Sequence, residues 1–94
     1  MTFQDLPDIA GANSVVILST LTNITQARLI QYVVTGAGTV RVGNASTVGS
    51  TRGLPLPSGS GQLLPYVGQL DWWTLGSLGV YIPTGTTLSI ALGI

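Results

Sequence analysis

Turn-forming residues interrupt this chain so regularly that its folding elements must be short. Thirteen glycines and five prolines are spread through 94 residues. Turn signals recur about every eight to twelve residues, the spacing of strands in a sandwich or barrel. The segments between them are rich in valine, threonine and serine, a composition that favours strands and turns over helices. The expected fold is all-β, with about six to eight short strands and no helix. Its expected form is a small antiparallel β-sandwich or barrel of jelly-roll type. Residues 14–94 read as one β domain and residues 1–13 as an extended N-terminal arm.

Along the chain, Ser14 to Thr20 reads as a strand buried on both faces, and 22–25 as a turn. Ala27 to Thr35 is the longest strand candidate. Alternation puts Arg28, Ile30, Tyr32 and Val34 on one face and Ala27, Leu29, Gln31 and Val33 on the other. Gly36-Ala37-Gly38 is a hairpin signal, with Thr39 to Gly43 as the return strand, Val40 and Val42 inward and Arg41 outward. A small polar loop runs to Ser50. Thr51 to Leu56 is extended, and Pro55 and Pro57 confine it to an edge. Ser58 to Gly61 reads as a turn and Gln62 to Tyr66 as an edge strand. Gly68 to Gly76 is a loop or one helical turn. Ser77 to Ile82 is a strand, 83–85 a turn, and Thr86 to Leu92 alternates most regularly, with Thr86, Leu88, Ile90 and Leu92 on one face.

Charge narrows the function. Only Arg28, Arg41, Arg52, Asp5, Asp8 and Asp71 are charged, and lysine, glutamate, histidine and cysteine are absent. Ordinary domains carry about 25% charged residues. General acid–base catalysis draws mainly on His, Glu, Asp, Lys, Tyr or Cys, and four of these are missing. A serine or threonine nucleophile would lack an adjacent base. No catalytic residue, metal site or cofactor is expected. A net charge of zero is a poor footprint for nucleic acid. The apolar run Val15 to Leu18 is too short for a transmembrane helix, and the acidic N-terminus is unlike a signal peptide. Two sequons, at Asn23 and Asn44, are of the kind that arise by chance in a chain rich in threonine and serine. Sparse surface charge favours association, so the chain is expected to pack against other chains.

The candidate interface residues are Phe3, Leu6, Ile9, Arg41, Arg52, Asp71, Trp72 and Trp73. Phe3, Leu6 and Ile9 give the arm apolar side chains to lay on a neighbouring subunit. Trp72 and Trp73 serve either as core and loop caps or as interface anchors. The arginines and Asp71 are either solvated or paired, and Arg52 beside Gly53 is placed to hold a carboxylate or backbone carbonyls. A second reading is a carbohydrate- or receptor-binding module, with Trp72, Trp73 and Tyr66 as stacking platforms and Asp71 and Gln69 as hydrogen-bond partners.

Val40-Arg41-Val42-Gly43-Asn44, then Ser50-Thr51-Arg52-Gly53-Leu54-Pro55-Leu56-Pro57 and a Gly-Ser turn, resembles a pattern in small virion structural proteins of tailed bacteriophages. Val80-Tyr81-Ile82-Pro83-Thr84-Gly85 through Leu88-Ser89-Ile90 is similar to the ending of that pattern, and the match covers roughly residues 27–94. Asn44 stands where an aspartate is common. The resemblance implies a β-sandwich that decorates or cements a capsid as a homotrimer. The major capsid protein would be its partner and the phage head surface its place, after synthesis in the bacterial cytoplasm.

Overall fold

The computed structural model describes residues 2–63 and 73–94. Within them the chain is all-β, with antiparallel sheets throughout. The strands are β1 (Phe3–Asp5), β2 (Ile9–Ala10), β3 (Ser14–Ile17), β4 (Gln26–Ala27), β5 (Leu29–Gly36) and β6 (Val40–Asn44). They continue with β7 (Leu54–Leu56), β8 (Gly59–Leu63), β9 (Trp73–Thr74), β10 (Leu78–Ile82) and β11 (Thr86–Gly93). Single 3-10 turns at Leu18–Thr20 and Leu75–Ser77 precede β4 and β10.

The pairings are nested. β1 and β2 pair with β11, β3 with β10, β4 with β9, β5 with β8, and β6 with β7. The chain thus runs out to a tip between Asn44 and Leu54 and returns beside itself. Two further ladders, β11 with β5 and β10 with β6, gather this doubled ribbon into two larger sheets. The first has the order β1-β11-β5-β8, with β2 also on β11, and the second β3-β10-β6-β7.

Alternation explains the core between them. Thr86, Leu88, Ile90 and Leu92 on β11 are buried, as are Ile30, Tyr32 and Val34 on β5. The apolar ones among them meet Val40 and Val42 of β6, Leu56 of β7, and Leu78, Val80 and Ile82 of β10 in one cluster. Burying one such side chain stabilises the fold by about 1.5–3 kcal/mol. Among the described residues no buried side-chain nitrogen or oxygen lacks a hydrogen-bond partner.

Four sequence expectations change. The segment 14–20 is an edge strand followed by a 3-10 turn. Among the described residues β3 pairs only with β10, and Ser14 and Val15 are exposed. Gly36–Gly38 is a crossing between sheets rather than a hairpin, because β11 and β8 already occupy both sides of β5. Gly36 has φ +112°, and a Cβ there would strike the Gly85 carbonyl and Thr86 backbone. Ser58 to Gly61 is mostly strand, since β8 starts at Gly59 and pairs with β5. Finally, residues 3–10 lie along their own chain's last strand. Phe3 faces Gly93, Asp5 faces Ala91, and the Leu6 amide donates to the Ile90 carbonyl at 2.9 Å. β11 would otherwise present an open row of backbone groups, and β1 and β2 cover it.

Candidate ligand and assembly faces

The outer face of the first sheet is built from residues that alternate with its core. Strand register sets them in cross-strand rows. Asp5, Ala91, Gln31 and Gln62 form one row across all four strands. Ser89, Val33 and Ser60 form the next. Short side chains at Ser60, Ser89 and Ala91 leave a trough beside the longer amides. Leu6 turns into the core while Asp5 and Asp8 on either side of it stay exposed, so both carboxylates border the trough.

The resulting cleft has a volume of about 680 Å³ and is lined by Asp5, Asp8, Gln31, Gln62, Val33 and Ser89, among others. Ser89 Oγ donates to Asp8 Oδ1 at 2.8 Å, which fixes that carboxylate's position. No arginine lines the cleft. It therefore offers hydrogen-bond acceptors, two amides and hydroxyls around an apolar centre at Val33, which is 43% exposed. No group of three or more metal-ligating side chains occurs among the described residues.

The outer face of the second sheet differs in chemistry. Its central row is Val15, Tyr81, Arg41 and Pro55. Val15 is exposed on this face, while Leu54, also exposed, lies in the Val42 row at the edge of the core-facing side. The loop between β6 and β7 folds back against this sheet. Val48, 7% exposed, rests over three glycines. A Cβ on Gly53 would lie 2.8 Å from Val48 Cγ2, one on Gly79 3.1 Å from Val48 Cγ1, and one on Gly43 3.6 Å from Val48 Cβ. Arg41 ties the loop down, its Nε donating to the Ser50 carbonyl at 3.2 Å and an Nη to the Gly53 carbonyl at 3.1 Å. Asn44 Oδ1 accepts from the Ser46 amide at 2.9 Å and the Ser46 hydroxyl at 2.6 Å.

These positions sort the sequence candidates. Leu6 is 6% exposed within its own core, which corrects its assignment to a neighbour's surface. Ile9 is half-buried against the same core. Phe3, at 47% exposure, is open. The arginine that holds backbone carbonyls is Arg41, and Arg52 is exposed on the loop that Arg41 secures. Trp73 packs against the core and donates its indole N–H to the Leu63 carbonyl at 3.1 Å. That bond fits the core-and-cap reading. Asp71 and Trp72, with Tyr66 and Gln69, lie outside the described residues. The amide-lined trough was missed by sequence reasoning. Its signal was present as the outward set of β5 and β11, but it needed strand register to assemble.

No helix among the described residues is long and apolar enough to cross a membrane. No family model matches the chain, and comparison with curated proteins and with solved structures likewise gives no match.

Proposed function

We propose that this chain is a virion structural subunit that decorates or cements a phage capsid, joining copies of itself, as a trimer, and the major capsid protein. The observation that carries this reading is the nested pairing. A doubled ribbon gathered into a five-stranded sheet, β1-β11-β5-β8 with β2 also on β11, and a four-stranded sheet, β3-β10-β6-β7, supports reading the fold as a jelly roll, which viral capsid domains use. The motif that resembles phage virion proteins maps onto the β6–β7 loop, whose packing explains its residues: Gly43 and Gly53 admit Val48, and Arg41 holds the loop carbonyls.

The work of such a subunit is mechanical. Binding to the assembled shell and not to unfolded subunits stabilises the shell by linkage, and many copies on one lattice add avidity. The row Val15, Tyr81, Arg41 and Pro55, apolar at both ends with its one guanidinium turned onto loop carbonyls, is the face suited to lie against a neighbour. Phe3, exposed on β1 of the first sheet, is a separate candidate contact on the other side of the molecule.

The test is particle loading. Epitope-tagged protein, produced in cells making the phage that encodes it, is expected to co-purify with intact heads on a density gradient. A folded Val15→Lys, Tyr81→Lys variant is expected to be left behind. Heads that carry no tagged wild-type protein overturn the proposal.

A further inference from the structure

We infer that the trough on the outer face of the first sheet is a binding site for a neutral saccharide, a short stretch of glycan chain. This does not rest on the virion reading, because it stands on the trough's own chemistry.

The cleft's volume of about 680 Å³ lies within the range of small-ligand sites, roughly 300–1,000 Å³. Its lining has the two-sided character that a sugar ring has. At the centre, Val33 and Ala91 present methyl groups on adjacent rows of the sheet, a surface for the C–H face of a pyranose. Around them stand Gln31 and Gln62 in one row and Ser60 and Ser89 in the next. Each amide offers an acceptor oxygen and two N–H donors, the combination a hydroxyl needs when it both donates and accepts. Asp5 and Asp8 add carboxylate acceptors at the rim. O–H to carboxylate bonds are among the shorter and stronger hydrogen bonds. Asp8 is held by Ser89 and retains further lone-pair sites, so it is oriented before a ligand arrives, which lowers the ordering cost of binding.

The same lining argues against other ligands. Two carboxylates and no cation in the cleft repel phosphates, carboxylates and nucleic acid. The polar rows are unsuited to a hydrocarbon chain. Six hydrogen-bonding side chains around a small apolar centre leave a polyhydroxylated, uncharged molecule as the best match.

The experiment is calorimetric titration of the full chain with maltotriose, cellotriose, chitotriose and xylotriose, the last two differing in N-acetyl and hydroxymethyl groups. At least one is expected to bind in the micromolar to millimolar range. Gln62→Ala and Asp8→Ala are each expected to weaken that binding about tenfold or more, equivalent to roughly 1.4 kcal/mol, with unchanged melting temperature. Leu54→Ser, on the other sheet, is expected to leave it unaltered. Absence of binding by all four sugars overturns the inference, as does binding that ignores both trough variants. Loss of self-association in Asp5→Asn, Asp8→Asn, seen by light scattering without any saccharide heat, would instead make the trough a contact between copies. Particle loading is measured separately, so failure here leaves the virion proposal to its own test.

Discussion

The phenol ring of Tyr32 lies over Gly61, its partner across the β5–β8 ladder, so closely that a Cβ at Gly61 would fall well inside contact with the Tyr32 hydroxyl and ring carbons. The glycine is required for space, since the ring fills the gap that a side chain at position 61 would occupy. Overpacking of this kind costs typically about 1–3 kcal/mol. Gly61→Ala is therefore expected to lower the melting temperature by on the order of 10 °C for a domain this size. Adding Tyr32→Leu is expected to cost less in that background than in the wild type, which a double-mutant cycle of thermal melts will read as coupling. Additive effects would rule out the contact.

Arg41 spends its guanidinium on the Ser50 and Gly53 carbonyls. The two bonds leave from different nitrogens of one rigid fork, which a lysine ammonium cannot copy. Arg41→Lys is expected to cost about 1 kcal/mol and to release the loop locally. Hydrogen exchange is expected to quicken at the Gly49 amide, which donates to the Arg52 carbonyl at 3.0 Å, while amides of β11 keep their protection. Unchanged exchange in the loop would show that the guanidinium does not secure it.

Asn44 acts through one acceptor oxygen, Oδ1, toward the Ser46 amide and hydroxyl. Aspartate would supply the same acceptor. Asn44→Asp is expected to change stability by less than about 0.5 kcal/mol. Asn44→Ala, which leaves the turn without its side-chain bond, is expected to cost about 1 kcal/mol. Chemical denaturation of both variants checks the pair, and equal losses would contradict the acceptor role.

Periodicity carried most of the fold. The buried face of β11 was legible because Thr86, Leu88, Ile90 and Leu92 alternate with smaller or polar residues, and the inward Val40 and Val42 followed from the same rule. What alternation cannot encode is which strand lies beside which. The Gly36–Gly38 turn has hairpin composition, yet it serves a sheet crossing, because the sites beside β5 are taken by strands distant in sequence. Gly59 and Gly61, interleaved with serines, have the composition of a turn. Their place in β8 follows from pairing with β5, where Gly59 faces Val34 and Gly61 makes room for Tyr32, partners that sequence distance conceals. The trough was hidden for the same reason. Asp5, Gln31, Gln62 and Ala91 are ordinary surface residues until register places them in one row.

Leu6 and Phe3 separate two accounts of the N-terminal segment. As an arm reaching to a neighbour, the segment would use both residues alike, and replacing either would impair assembly while the isolated fold stayed intact. Here Leu6 is buried among its own core residues while Phe3 is about half exposed. Truncating a buried leucine typically costs about 2–5 kcal/mol through lost transfer energy and the cavity left behind, a large share of the stability of a domain this size. Leu6→Ala is therefore expected to lower the melting temperature of the isolated chain by 10 °C or more, at roughly 4–8 °C per kcal/mol. Phe3→Ser is expected to shift it by little, since an exposed substitution is usually worth within about 0.5 kcal/mol. Particle loading then reads the other half. Phe3→Ser is expected to weaken capture by heads without unfolding the chain, and Leu6→Ala to fail only in proportion to its unfolded fraction. Equal, small effects of both substitutions on the melt would return the segment to a loose extension and remove β1 from the first sheet.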